Sequence, residues 1–339
     1  HCADRHRRFC DLPRIEVDAI HRIADDGLHN AFTDLAKFQG RFFLAYRSCP
    51  EGHMIFPTSK IHVLVSDDGV NDWEEVFCFS VPSRDVRDPH FLLFQDKLFV
   101  YSGTWLCPLA DSDERDMNDH LGYAVSSRDG VVWTGPTMME GTYGHYIWRA
   151  AAHGNRAYLC GRRRREFAPG QDENRRELIQ AAMLASDDGL IWYKAGLFAD
   201  GYGDETAFLF EEDGACLALV RGADPVPARL SRLRPPYDHF DHVELDRNVG
   251  GPLLARWGDR LLVGGRKMLD PDHPVTSLYW LEDDRLHEAA ELPSGGDNSY
   301  PGFVDLGGGR GLLSYYSSHE GSRRGVAPCH IYLAELRLV

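Results

Sequence analysis

Short apolar runs rich in Leu, Val, Ile, Ala and aromatic residues recur along the chain, each broken by a compact polar turn. The clearest case is Thr206-Ala207-Phe208-Leu209-Phe210, an acidic turn at Glu211-Glu212-Asp213-Gly214, and then Ala215-Cys216-Leu217-Ala218-Leu219-Val220. Runs this short, bounded by turn residues, read as β-strands, and two of them across a tight turn read as an antiparallel hairpin. Hairpin turns of this kind fall at Gln39-Gly40-Arg41, Gln95-Asp96-Lys97, Gly154-Asn155-Arg156, Asp213-Gly214-Ala215, Gly258-Asp259-Arg260 and Gly309-Arg310-Gly311. Their spacing, roughly 40 to 60 residues, is the size of one four-stranded propeller blade.

The second half of the early repeats fits the same unit. Ile61–Ser66, Leu121–Ser126 and Ile179–Ser186 read as third strands, each followed by an acidic turn and a tryptophan: Ser66-Asp67-Asp68-Gly69 before Trp73, Ser127-Arg128-Asp129-Gly130 before Trp133, and Ser186-Asp187-Asp188-Gly189 before Trp192. These turns resemble the Asp-box of sialidase-type propellers, with the departure that Gly directly follows Asp. The resemblance implies a structural turn on the outer rim, with no metal there.

The last repeat has three strands after Asn298, ending in Ile331–Leu338, and Arg14–Ile23 is placed to supply the fourth. Closure of this kind removes free sheet edges. The expected architecture is therefore an all-β, six-bladed β-propeller over residues 14–339, with an N-terminal strand closing the last blade. Residues 1–13 read as a polar, basic arm or an expression remnant, and Arg162–Arg176 as an exposed loop.

Composition narrows the function classes. The 339 residues carry a formal charge of −15, which argues against a general nucleic-acid binder. No apolar run approaches the roughly 18 residues of a membrane span. The eight cysteines show neither a CxxC pair nor a zinc spacing, and several sit in apolar strands as small core residues. That usage leans towards a reducing, cytoplasmic compartment, with secretion left open if a leader preceded His1. No nucleotide-binding motif is evident, so neither a cofactor nor a metal is expected.

In a propeller, the starts of first strands and the ends of second strands converge on one central mouth. Counting the same distance from each hairpin turn brings Arg47, Arg162, Arg221 and Arg266 into one register. The entries to the first strands add Asp88, Arg149 beside Trp148, Glu205, and Tyr300 within Gly296-Asp297-Asn298-Ser299-Tyr300-Pro301-Gly302. Glu205 and Arg221 stand at the two ends of one hairpin and should lie side by side.

Here the chain resembles the sialidase superfamily over nearly its whole length. The resemblance implies that Glu205 activates Tyr300 as nucleophile and that Arg221 and Arg266 grip the substrate carboxylate. A phenol has a pKa near 10 and needs a neighbouring base to attack, and sialidases are an exception to the two-carboxylate pattern of glycosidases. Bidentate geometry favours arginine over lysine for the carboxylate. The first arginine of the sialidase triad is missing, because blade one opens Asn30-Ala31-Phe32-Thr33-Asp34, and Arg47 is the replacement considered. The loop that carries the sialidase acid/base Asp reads Ser48-Cys49-Pro50-Glu51-Gly52-His53, which makes His53, Glu51 or Asp88 the proton donor. The expected activity is an exo-glycosidase on a terminal acidic sugar, with a carbohydrate as partner. Three alternatives stand beside it. One is an arabinanase- or fructosidase-like hydrolase using Asp34, Asp88 and Glu205. Another is a polysaccharide lyase using Tyr300, His53, His90 or His145. The last is a non-catalytic glycan binder in which Trp105, Tyr146 and Trp148 stack on sugars.

Overall fold

The computed structural model describes residues 12–108, 115–169, 175–222, 226–321 and 328–339. These form six four-stranded antiparallel sheets arranged as the blades of a propeller. The first blade holds β2 (His29–Phe38), β3 (Arg41–Cys49), β4 (Lys60–Ser66) and β5 (Glu74–Phe79). The second holds β6 (Arg84–Phe94), β7 (Lys97–Leu106), β8 (Leu121–Ser127) and β9 (Trp133–Met138). The third holds β10 (Tyr146–His153), β11 (Arg156–Arg164), β12 (Ile179–Ser186) and β13 (Tyr193–Asp200). The fourth is β14 (Thr206–Phe210), β15 (Cys216–Val220), β16 (Arg229–Leu233) and β17 (Phe240–Glu244), and the fifth β18 (Gly250–Trp257), β19 (Arg260–Lys267), β20 (Val275–Glu282) and β21 (Arg285–Glu291). In the sixth, β22 (Asn298–Gly307), β23 (Arg310–Ser317) and β24 (His330–Leu338) are completed by β1 (Ile15–Ala24), with Ile15 opposite Leu338 and Ala24 opposite Ile331.

Burial follows position within the blade. The second strand of blade one is buried from Phe42 to Cys49, whereas the outermost β9 and β17 are largely exposed. Inner strands are covered on both faces by neighbouring blades, which is why they read as continuous apolar runs rather than alternating ones. Five of the six hairpin turns lie where the sequence spacing puts them, and the sixth falls one residue earlier, at Gly308-Gly309, because Arg310 already opens β23 opposite Gly307.

The three acidic turns share one hydrogen-bond pattern. Asp68 Oδ1 accepts from the amides of Val70 and Asn71 at 2.8 and 2.7 Å, Asp129 from Val131 and Val132 at 2.8 and 2.9 Å, and Asp188 from Leu190 and Ile191 at 2.8 and 2.9 Å. The glycine after each aspartate does two things. Its φ is +78°, +74° or +82°, and a Cβ there would sit 2.7 Å from Leu312, 2.5 Å from Phe43 or 2.9 Å from Phe99 of the preceding blade. The turn is therefore a spacer between blades as well as a reversal of the chain.

The stretch expected to be a loop from Arg162 begins later. β11 continues to Arg164 because Arg162, Arg163 and Arg164 pair with Ala181, Gln180 and Ile179, and 3-10 turns follow at 165–167 and 176–178. Residues 170–174 of that stretch lie outside the described residues, as does most of the expected N-terminal arm. Leu12 packs on the core shared by the last two blades, and Pro13 accepts a hydrogen bond from Trp280 Nε1 at 2.7 Å. Among the described residues no helix is long and apolar enough to cross a membrane.

Candidate active site

Five of the six first strands break register near the axis: between Ala31 and Asp34, Arg87 and His90, Ile147 and Ala150, Gly250 and Leu253, and Ser299 and Gly302. Such bulges re-aim side chains. In four of them a residue takes a left-handed conformation, Phe32 at φ +58°, Asp88 at +49°, Gly251 at +59° and Tyr300 at +52°. For Tyr300 this costs about 1–2 kcal/mol and must be held by its surroundings. Thr33 Oγ1 donates to the Tyr300 carbonyl at 2.8 Å, and Arg149 Nη2 to the Pro301 carbonyl at 2.6 Å.

The Tyr300 hydroxyl donates to Glu205 Oε1 in a short hydrogen bond. The other carboxylate oxygen, Oε2, accepts from Arg221 Nη1 at 2.9 Å and from the Gly251 amide at 3.1 Å, while Arg221 Nη1 also lies 3.2 Å from the Tyr300 oxygen. Arg221 reaches Glu205 as the hairpin register requires, with the Arg221 amide bonded to the Glu205 carbonyl at 2.9 Å. Burial, then the charge of Glu205, push the Tyr300 phenol well above its ordinary pKa, so the hydroxyl is held protonated against the Glu205 carboxylate.

Glu205 and Tyr300 line a cavity of about 470 Å³ together with Phe32, His53, Asp88, Trp105, Tyr146 and Arg162. A second tyrosine and carboxylate meet on its wall, where Tyr146 donates a short hydrogen bond to Asp88 Oδ2. Burial, then the negative charge of Glu205, raise the Asp88 carboxyl to about 6. Arg162 stacks its guanidinium 5.3 Å from the Tyr146 ring centre and bonds Asp204 at 2.9 Å. Burial acts to raise the Asp204 carboxyl, but Arg162 and Arg221 outweigh it and hold it below the usual range. Arg87, Arg115 and Arg176 join Arg162 in the lining, so four arginines face the cavity in a chain of strongly negative charge.

Arg221 and Arg266 line an adjoining cavity of about 540 Å³ that shares Arg176 and Asp204 with the first. Arg266 is loosely held, 3.5 Å from the Asn298 carbonyl and 3.7 Å from Asp297 Oδ1. His53 faces the first cavity with its Nδ1 2.7 Å from Asp297 Oδ2, and His29 Nε2 approaches the same oxygen at 2.7 Å. Two groupings among the described residues have the composition of a metal site, His29 with His53 and Asp297, and His62 with Glu75 and Cys78. In both, the closest approaches are hydrogen bonds, 2.7 Å in the first and 2.6 Å between His62 and Glu75 in the second, so neither is assigned to a metal.

Other expected residues lie elsewhere. Arg47 is fully buried and bonded to Asp85, to the Val86 carbonyl and to the carbonyls of Gly52 and Met54. It lines neither cavity, and the expectation that it replaces the missing triad arginine is corrected: strand and loop carbonyls surround its guanidinium before any ligand can. Arg149 also lines neither cavity and instead bridges Asp34 and the carbonyls of Pro252 and Pro301. Trp148 is core, buried with its ring edge-on to His90 at 4.7 Å and to Tyr300 at 6.1 Å. Asp34, His90 and His145 do not line either cavity. Sequence reasoning passed over Arg87, Gly251 and Asp297. The repeated dipeptides Asp88-Pro89, Gly251-Pro252 and Tyr300-Pro301 at matching strand entries were the signal for Gly251.

No protein-family profile and no curated protein matches the sequence. Solved structures do match in fold. A protein of unknown function from Dyadobacter fermentans is 20% identical with a TM-score of 0.78, over 97% of this chain and 100% of the other. A sialidase of Trypanosoma rangeli, in complex with 2,3-difluorosialic acid as a covalent intermediate, is 12% identical with a TM-score of 0.67, over 94% of this chain and 59% of the enzyme. The K499G mutant of the NanB sialidase of Streptococcus pneumoniae is 10% identical with a TM-score of 0.67, over 95% of this chain and 71% of the other. The chain thus spans about three fifths of the trypanosomal enzyme's length. At these identities the likeness is one of fold, the six-bladed propeller that sialidases also use.

Proposed function

We propose that the protein is a glycoside hydrolase that releases a terminal acidic sugar through a covalent intermediate on Tyr300. The observation that carries this reading is the Tyr300 hydroxyl bonded to Glu205 at the wall of the cavity, with Arg221 and the Gly251 amide on the far carboxylate oxygen. The Tyr300 oxygen bonds to the anomeric carbon as Glu205 takes the phenolic proton, and the bond from that carbon to the leaving oxygen breaks. Arg221 opposes the charge that builds on the phenolic oxygen. A neutral nucleophile also meets an anionic sugar with less repulsion than a carboxylate would. Water then attacks the same carbon, the phenolic oxygen departs, and the proton on Glu205 returns to it. Arg221 and Arg266 in the adjoining cavity supply the donors for the sugar's anionic group. That sialidases share the fold supports the class of reaction.

The test is a panel of aryl glycosides of sialic, ketodeoxy, uronic and pentose sugars, run with wild type and Tyr300→Phe and read by released aglycone and by near-ultraviolet absorbance of an unsaturated product. Release from an acidic sugar that collapses in the variant supports the reading. Unsaturated product indicates a lyase. Equal glycan binding by both proteins without turnover indicates a lectin-like propeller.

A further inference from the structure

The loop between β3 and β4 has little regular structure, yet its backbone is held at three consecutive carbonyls by two arginines, Arg47 and Arg87. Arg47 donates to the Gly52 carbonyl at 3.1 Å and to the Met54 carbonyl at 2.8 Å. Arg87 donates to the His53 carbonyl in a short contact and to the Met54 carbonyl at 3.1 Å. Both guanidinium groups are anchored on Asp85, each at 2.7 Å. A loop that merely crosses the surface needs none of this. The residue at its centre is His53.

The His53 ring is fixed as firmly as its backbone. Nδ1 is bonded to Asp297, and the ring meets Phe32 edge-on at 5.3 Å and His29 at 5.5 Å. This leaves Nε2 as the nitrogen free to act, on a side chain that lines the cavity of Tyr300 and Glu205 and is 29% exposed. Asp297 is itself held by His29 Nε2, and by the Tyr316 hydroxyl at 2.9 Å on its other oxygen. His29 is buried, and burial pushes its pKa down, so it serves Asp297 as a neutral donor. An orienting carboxylate on one imidazole nitrogen and a reacting group at the other is the arrangement of a general acid/base. Asp88 is less suited: it is 4% exposed and engaged by Tyr146, whereas the group must exchange protons with a departing alcohol and an entering water.

We propose that His53 is the acid/base of the reaction and that Asp297 is its positioning residue. The assignment rests on the hydrolase reading. As the bond to the leaving oxygen breaks, the proton on Nε2 passes to that oxygen and the product alcohol departs. His53, now neutral, takes a proton from the water whose oxygen bonds to the anomeric carbon, and is ready for the next cycle.

The experiment compares each protein on two glycosides of the same sugar, one with a nitrophenyl leaving group that departs without protonation and one with an alkyl or sugar alcohol that does not. In kcat/KM, which reads only the first bond-breaking step, His53→Ala should lose about 10²–10⁴-fold on the alcohol glycoside while staying within about tenfold on the nitrophenyl glycoside. Azide, which attacks the intermediate without a base, should speed the variant and yield the glycosyl azide. Asp297→Asn should show the same leaving-group selectivity in weaker form, and His53→Gln should repeat it. The readout is a ratio on one sample, so partial misfolding cancels. Equal loss on both substrates, or leaving-group selectivity in Asp88→Asn instead, overturns the assignment. Wild type inert on every glycoside overturns the hydrolase reading and this assignment together.

Discussion

Tyr300 and Glu205 lie 95 positions apart in the chain, and the hydroxyl of one donates to a carboxylate oxygen of the other inside a cavity. Neither is free to turn away. Glu205 is held by Arg221 and Gly251, and the Tyr300 ring packs against Phe32 at 5.1 Å and Tyr316 at 5.8 Å. In the proposed reaction, preorganisation of this kind would remove reorientation from the barrier.

Tyr300→Phe keeps those ring contacts and removes only the hydroxyl. We expect kcat on the responsive acidic aryl glycoside to fall about 10³-fold or more with little change in thermal unfolding. Glu205→Gln should lower kcat by about 10²–10⁴-fold, as loss of a general base does, and should also destabilise the fold, because Arg221 then loses its carboxylate. Steady-state kinetics beside a melting curve separates the two variants, and a Tyr300→Phe protein that stays fully active rules the nucleophile out.

Gly251→Ala tests the wall behind Tyr300. An added Cβ would lie 2.4 Å from the Tyr300 ring at a backbone φ of +59°. Overpacking and the left-handed conformation together should cost about 1–3 kcal/mol of stability, and displacement of Tyr300 should depress kcat more than KM. An alanine variant with unchanged melting and kinetics would show that the ring does not depend on this wall.

Arg266→Lys probes the proposed anion site. The side chain is only loosely engaged by the protein, so the change should leave stability intact. Loss of a charged hydrogen bond of about 1.5–3 kcal/mol should raise KM at least tenfold, with kcat much less affected. An unchanged KM would place the substrate's anionic group elsewhere in the cavity.

Asp88 should leave a mark on stability as a function of pH. Its carboxyl titrates at about 6 when folded, above the range of an unfolded aspartate, so between pH 4 and 6 the folded state binds the extra proton. Stability from this group is present below that window and lost as pH rises through it, on the order of 3 kcal/mol. Asp88→Asn removes the titration, so the variant should gain relative to wild type as pH is raised from 4 to 7. Parallel denaturation curves at the two pH values would contradict this.

The repeat of hairpins made the blades and their closure legible, since turn residues and apolar runs are local properties of the chain. The pairing of Glu205 with Arg221 was equally readable, because one hairpin's register decides it. Arg47 shows where such counting ends. It shares the register of Arg162, Arg221 and Arg266, but the fate of a guanidinium depends on which carbonyls and carboxylates its neighbours offer, and Asp85 lies in another blade. Trp148 is a second instance: its position at a strand entry was visible, and the rotation of the bulge that buries it was not. Asp297 meets His53 across 244 residues, a contact that no spacing announces.

The seam between β1 and β24 bears on the order of events in folding. Tyr300 and Asp297 belong to, or immediately precede, the first strand of the blade that this seam completes, and Ile15 must find Leu338 before the ring shuts. Pairing across so much chain is slow, because the entropy of closing a large loop is lost before the contacts form. The other five blades can assemble from neighbours in the chain, so in refolding from denaturant tryptophan burial should run ahead of recovered turnover. Catalytic competence would then serve as a reporter of the last seam to close, and weakening that seam should slow its recovery without changing the chemistry.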